Sequence, residues 1–517
     1  MARGIVPLDE ERRFGIEELF FSITDERGVI TSGNEVFARV SGYSIDELLG
    51  KPHNIIRHPD VPRAVFYLLW DYLKAGKAIA AYVKNMAKDG RYYWVMALVT
   101  PIQGRYLSIR LKPTSPIFAQ VKQIYAELLA LEASYGNKPG ARNEGMLAAA
   151  ARLGEILASI GFDSYDSFMH TALVEELKQR DSAIEGLREA SAVRRGGSVG
   201  AGMNSCANRP AANRPPDGIP NSGKSVVFID TPSARDESES RVFRDAQSAR
   251  DESESGRRLE DSLVHCRGLQ RHFFKVFGSL ENYLELYDNL LGKSRFVQQL
   301  SHSAGRLSIN ATIASAHLRE DGACLSVVAQ WMRQNSEDIN GAITELAPQM
   351  RSVADGLKRI AFQVSVSRLT VEMMAFFLSE LSRTDAEDAM GEAGDNGATE
   401  SNLRGLSQAL TGAIDDTYRS MEVLNGGLSQ LSKGLDDVLI PVRTVGFAHV
   451  IGKVEASRLR DATVFTSIFE EVSTLIQDAR RELEELIRTI ATASIEPIQQ
   501  SRVEAFTGSL RQVSLVN

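Results

Sequence analysis

The chain has 517 residues, 43% of them hydrophobic, with a formal net charge of −8 and an isoelectric point near 5.7. That length allows about three domains, and the acidic balance argues against a dedicated nucleic-acid binder. Cys206, Cys266 and Cys324 stand far apart with no CxxC pair, which excludes a disulfide scaffold, a clustered zinc site and a CxxCH haem attachment. The N-terminus, MARGIVPLDEERRF, is charged where a signal peptide needs an apolar core. No window reaches the roughly 18 uncharged apolar residues of a membrane helix. Ala361–Leu381 comes nearest and is interrupted by Arg368 and Glu372. The expectation is a soluble, cytoplasmic protein without a membrane span.

Residues 1–15 read as a polar arm. LFFSITDERGVITSG, from Leu19, predicts two short strands around the turn Asp25-Glu26-Arg27-Gly28. Asn34 is placed to cap a helix through Val40. Ser44 and Glu47 have the spacing of a capping box for a second, short helix. A further helix runs to about Lys74 and stops at Gly76. Strands follow over Ile79–Asn85, Tyr92–Ile102 and Tyr106–Leu111, with a turn at Lys88-Asp89-Gly90. The order predicts an α+β domain over residues 16–114: an antiparallel five-stranded sheet with helices on one face.

Within it, Lys51–Trp70 reads KPHNIIRHPDVPRAVFYLLW. His53, Asn54, Arg57, His58 and Asp60 crowd one short polar segment, and an aromatic segment ending at Trp70 follows. Pro59 and Pro62 disfavour one long helix across the join. Convergent polar groups beside a flat apolar wall suit a small-molecule pocket; a polar surface loop before an amphipathic helix has the same composition.

Three stretches carry a resemblance: SITDERGVITSGNEVFARVSGYSIDELLGKPHNIIRHPDVP, KNMAKDGRYYWVMALVTPI and YLSIR. They resemble the flavin-binding PAS sensor domain of bacterial aerotaxis receptors over about residues 5–113. In that family the domain holds FAD non-covalently and reports its redox state. Carried over by position, the resemblance implies flavin contacts at Asn34, His53, Arg57, His58, Asp60, Trp70 and Asn85. Their chemistry agrees. Trp70 offers a ring face or edge to the isoalloxazine, and Asn85 can donate and accept at its amide-like edge. Arg57 and His58 suit phosphates or ribose, and Asp60 suits the orienting of either. Haem is a rival ligand through His53 or His58, and a PAS domain with no cofactor is another alternative.

From Pro116 to about residue 190 the apolar spacing turns helical. His170 has no partner in reach by sequence and reads as a core or surface histidine. Residues 191–258 are rich in Gly, Pro, Ser and Arg and repeat SARDESES, at Ser233 and again at Ser248. They are expected to be a disordered linker. GIPNSGKS, Gly218–Ser225, matches the phosphate-loop pattern but lacks a strand before it and a helix after it.

Beyond the linker, helical periodicity predicts two arms, 259–383 and 401–500, around a flexible break at 384–400, with a tail over 501–517. The segment from Asn310 and the segment from Ile451 resemble each other. Both also resemble, in degenerate form, the signalling-tip hairpin of methyl-accepting chemotaxis proteins, through Val454-Glu455-Ala456-Ser457-Arg458 and through Gly322 with Val327-Val328-Ala329. Ala314 and His317 depart from that pattern, and the second copy lacks the turn glycines. No kinase ATP-binding signature, basic recognition helix, nucleophile elbow or HExxH is present. The reading is a non-enzymatic redox or oxygen sensor of aerotaxis type. It is expected to be a homodimer through its helical arms and PAS domain, with a chemotaxis kinase, coupling protein or chemoreceptor as partner. The alternative is a dimerisation scaffold with no cofactor.

Overall fold

The computed structural model describes residues 5–136, 140–196, 260–278, a set of positions between 286 and 316, and residues 323–388, 396–458 and 463–492. Five strands, β1 (Phe20–Asp25), β2 (Ile30–Gly33), β3 (Ile79–Met86), β4 (Tyr92–Ile102) and β5 (Arg105–Leu111), form one antiparallel sheet in the order β2-β1-β5-β4-β3. The strand boundaries follow the sequence expectation closely. Gln103 and Gly104, at φ 31° and 75°, make the two-residue turn that joins β4 to β5.

Between β2 and β3 lie α1 (Glu35–Ser41), α2 (Ile45–Leu48), a 3-10 turn over His53–Ile56, and α3 (Arg63–Lys74). They cover one face of the sheet: Phe37 stacks near Phe20, and Trp70 meets Tyr106 edge-on. Asn34 caps α1, and Ser44 with Glu47 forms the capping box of α2, as their spacing predicts.

The other face is covered as well, which explains why β1 and β4 are apolar on both sides. α4 (Pro116–Ser134), α5 (Ala141–Ser159) and α6 (Tyr165–Gly196) bring Phe118 against Tyr82 and Trp94, and Glu176 to the Tyr82 hydroxyl at 2.8 Å. Under β1 come α8 (Ala323–Asp388) and α9 (Asn396–Ala456). Phe377 meets Phe21 edge-on, and Gly405 lies so close that a Cβ there would stand 3.0 Å from Ile23 Cδ1.

Three carboxylates from distant helices seat the domain by the same physics. The first N–H groups of a helix have no intrahelical acceptor and carry the positive end of its dipole. Glu132 accepts from Arg63 and Ala64 at the start of α3. Glu176 accepts from Thr114 and Ser115 before α4. Glu380 of α8 accepts from Glu35 at the start of α1.

Residues 260–278 are helical (α7), as are the described positions of 286–316. With α8, α9 and α10 (Thr463–Thr492) they build an antiparallel bundle. α8 is about 100 Å long at 1.5 Å per residue. Small residues let α8 and α9 approach: a Cβ on Gly427 would meet Val353 at 3.2 Å. Lys293 pairs with Glu482 and Glu485 of α10, and Cys266 reaches the Val371 carbonyl of α8. The apolar stretch within Ala323–Leu381 is long enough to cross a membrane by composition, and 89% of its most apolar window is buried inside the protein. α8 runs to Asp388 and α9 starts at Asn396, so helix enters the Gly- and Asp-rich stretch from both sides. The SARDESES repeats, Gly218–Ser225 and the tail over 501–517 lie outside the described residues, as does the segment around Gly322.

Candidate functional site

The seven residues singled out in the sequence fall into four places. Arg57, His58, Asp60 and Asn85 gather at the β3 edge, where an isolated antiparallel bridge joins Arg57 to Asn85. The Arg57 guanidinium lies 4.0 Å from the Phe66 ring centre and donates to the Val61 carbonyl, while its Nε has no hydrogen-bond partner among the described residues. Burial, and then the neighbouring Arg63, lower its pKa. His58 is buried, and its Nδ1 accepts the backbone N–H of Asp60 at 3.1 Å. Burial and the Lys84 charge hold its imidazole below the ordinary value, against the pull of Asp60. Asp60 is exposed and takes Lys84 at 2.7 Å. It lies 3.5 Å from His58 Nδ1, and no contact joins it to Arg57 among the described residues. Asn85 is buried opposite Tyr93.

Trp70 stands apart, against Tyr106 and the β1–β2 turn, where a Cβ on Gly28 would meet its ring at 3.2 Å. His53 lies deeper. Its ring is parallel to Phe37, with centroids 6.2 Å apart, and its Nε2 is 2.5 Å from Arg110 Nη2. Burial and then the Arg110 charge push its pKa well down.

Asn34 has no capacity left for a ligand. An Asn side chain accepts two hydrogen bonds and donates two. Oδ1 accepts the N–H groups of Phe21 and Phe37 at 3.1 and 3.4 Å. Nδ2 donates to the Leu19 carbonyl at 3.5 Å and to Glu380 at 3.3 Å. Its role is in the fold and in the contact with α8.

Arg110 is the residue the sequence reading missed. It sits on the central strand, points toward the helices and is 2% exposed. It donates to Ser22 Oγ at 2.9 Å and to the Ser108 carbonyl at 3.4 Å, and lies 5.2 Å from the Phe37 ring centre. Among the described residues no carboxylate reaches it. Burial pushes its pKa down to about 10. Beside it the Tyr93 hydroxyl is buried with no hydrogen-bond partner. Alternation in β5 groups Arg110 with Tyr106 and Ser108, opposite Leu107, Ile109 and Leu111, and so reads as a solvent-facing side; it is inward only because both faces of the sheet are covered.

A buried cation with only neutral neighbours, an unused phenol donor and aromatic walls form a donor set suited to a planar group that carries hydrogen-bond acceptors. Among the described residues no group of three or more His, Cys, Asp or Glu is placed to hold a metal. A separate cleft of about 1170 Å³ opens where the end of α3 and the β4–β5 turn meet α6, α8 and α9. None of the seven residues lines it. His170 does, stacked on Phe362 at 4.4 Å and with its pKa pushed down to about 4 by burial.

The PAS fold family matches residues 30–109. The aerotaxis receptor of Escherichia coli (strain K12) is 43% identical over 114 residues, which cover 21% of this chain and 22% of that protein. The biofilm dispersion protein BdlA of Pseudomonas aeruginosa is 35% identical over 103 residues, covering 19% of this chain and 24% of that protein. A solved light-oxygen-voltage domain, studied with a flavin analogue, aligns at 21% identity with a TM-score of 0.19, covering 21% of this chain and 87% of its own. The chain thus spans less than a quarter of the length of the two curated relatives. The matched family and the five-stranded sheet agree: this chain carries a PAS domain, similar in sequence to parts of the aerotaxis receptor and of BdlA, followed by a mostly helical region.

Proposed function

We propose that this protein is a cytoplasmic redox sensor whose PAS domain binds a flavin, FAD, and passes its oxidation state to the helical bundle. The observation that carries the reading is the PAS interior: Arg110 buried without a counter-ion, beside the unpartnered Tyr93 hydroxyl. Such a group costs several kcal/mol to bury alone, and the carbonyl oxygens and unprotonated nitrogens of an isoalloxazine would offer acceptors that offset part of that cost. Trp70 would flank the ring, Asn85 would meet its edge, and Arg57 and His58 would take phosphate or ribose at the rim, with Asp60 orienting His58. When bound, the flavin supplies reversible electron and proton uptake; the protein supplies the environment that registers it. Haem is less well supported, because His53 Nε2 faces a guanidinium and His58 Nδ1 already accepts a hydrogen bond.

Direct docking supports transmission that bypasses residues 191–258. Ser32 bonds Asn402, Glu35 and Asn34 bond Glu380, and Phe21 packs on Phe377. Farther in, Arg180 of α6 holds the Ile16 and Glu17 carbonyls and pairs with Glu372 of α8. Output would leave from the far end of α9. There Phe447, Val450, Ile451 and Val454 are exposed at helical spacing beside the turn at Ser457–Arg458. This supports a homodimer and a kinase or coupling protein of the chemotaxis class as partners.

The test is the absorbance spectrum of the purified full-length protein, with the released cofactor identified by chromatography. Bound FAD is expected. A colourless protein, unchanged after incubation with FAD, FMN and riboflavin, would sink the reading and leave the cofactor-free scaffold.

A further inference from the structure

The Arg110 cluster has a chemistry that flavin binding alone does not demand. Three features meet on the central strand. The guanidinium is buried and its contacts, Ser22 Oγ, the Ser108 carbonyl and His53 Nε2, are all neutral acceptors. The imidazole facing it is kept neutral, so His53 adds no second charge but also no compensating one. Phe20 and Phe37 flank the cation at 5.8 and 5.2 Å and keep the surroundings apolar. In a low-dielectric site a fixed charge acts strongly on any charge that develops nearby. The rim pair Arg57 and His58 lies at the β3 edge, whereas Arg110 lies mid-sheet, so a phosphate held at the rim does not neutralise it.

We propose that Arg110, positioned by Ser22 and His53, is the anion site of the PAS interior, and that it sets the redox potential by favouring the reduced flavin in its negatively charged form. This rests on the flavin reading above. The balance is simple. Two electrons and one proton convert the neutral oxidised ring into the reduced ring with N5 protonated and N1 bare, charge −1; a second proton at N1 would give the neutral reduced ring. Arg110 stabilises the first product against the second, and Tyr93 can donate to the same charge. Cofactor electronics are tuned in this way by charges placed near the ring.

The experiment is a reductive titration of the full-length, FAD-loaded protein with dithionite and reference dyes, over pH values acid of the free reduced ring's own N1 ionisation. Wild type, Arg110→Lys and Arg110→Met are compared. Wild type is expected to take up one proton per two electrons, and Arg110→Lys to keep that number. Arg110→Met is expected to take up two. Its preference for reduced over oxidised flavin should drop at least tenfold, read as a fall of about 30 mV or more in midpoint potential. The wild-type proton number stands alone if Arg110→Met does not fold: two protons per two electrons in wild type overturns the proposal. So does an Arg110→Met protein that binds FAD with wild-type potential and proton number, and in either of these cases the flavin reading survives. Wild-type protein that takes up no flavin overturns both.

Discussion

The side-chain amide of Asn34 donates to the carboxylate of Glu380, 346 residues away in sequence and 3.3 Å away in space. The same carboxylate accepts the Glu35 N–H at 2.9 Å. A helix N-terminus in the PAS domain is thus completed by the end of a helix that belongs to the bundle, and neither part has its polar groups satisfied alone.

Removing that carboxylate should loosen the two parts from each other. Glu380→Ala is expected to destabilise the protein by about 1–3 kcal/mol, since it leaves buried donors unmatched. Glu380→Gln should cost less, because its amide oxygen still accepts. Denaturation followed by fluorescence separates the parts: Trp70 and Trp94 report the PAS domain, and Trp331 reports the bundle. Coincident transitions in wild type should split in Glu380→Ala.

Asn34 and Trp70 should behave oppositely. Asn34→Ala loses a helix cap, about 1 kcal/mol, and should leave FAD affinity unchanged. Trp70→Ala should weaken FAD binding at least tenfold, about 1.4 kcal/mol. Equilibrium titration of flavin fluorescence distinguishes them, and an Asn34→Ala protein that loses FAD while still folded would return Asn34 to the cofactor site.

The buried ion network at the junction gives a strong and pH-dependent effect. Glu372 accepts Arg180 at 2.5 Å and Arg368 at 2.7 Å, and Arg368 also holds Asp181. Glu372→Ala leaves two buried guanidinium groups short of a partner and is expected to cost about 3–5 kcal/mol. An exposed pair such as Arg419–Asp416 should cost under about 1 kcal/mol when broken. Although burial opposes it, the two arginines hold the Glu372 carboxyl below its ordinary 4.5. A depressed carboxyl stabilises the fold fully above its unfolded pKa, and that contribution is lost as pH falls below about 4.5 through the folded value. Acid titration of stability should therefore be shallower in Glu372→Gln over that range.

His170 acts in a neighbouring window. Its pKa falls from 6.5 to about 4 on folding, because burial disfavours the imidazolium. The unfolded chain binds the proton more readily, so stability falls as pH drops from 6.5 toward 4. His170→Gln should flatten the slope in that interval; an unchanged slope would remove His170 from the account.

Gly452 tests the far end of the bundle. A Cβ there would clash with the Phe469 ring, which is itself buried. Gly452→Ala is expected to cost about 1–3 kcal/mol through overpacking, and Phe469→Leu in the same chain should restore part of it. Thermal melts of the single and double variants decide this.

The PAS domain was legible because its local signals agree. Asn34, Ser44 with Glu47, Gly76 and Lys88-Asp89-Gly90 each mark a boundary that the fold keeps. The polar rim was legible too, since Arg57, His58 and Asp60 are neighbours in sequence and remain so in space. Two things were hidden. Arg110 stands in a strand that looks merely amphipathic, and its lack of a carboxylate partner exists only once the sheet is assembled. The docking of Glu380, Asn402 and Phe377 on the sheet depends on residues more than 300 positions away, and no periodicity records which face of a long helix meets which strand.

The central claim is that the state of the PAS interior reaches the bundle through this docked face. Hydrogen exchange of the FAD-loaded full-length protein, oxidised against dithionite-reduced, tests it directly. Reduction is expected to change protection in the first turn of α1 and in α8 around Phe377–Glu380 together. Change confined to the PAS domain, with α8 unaltered, would contradict it.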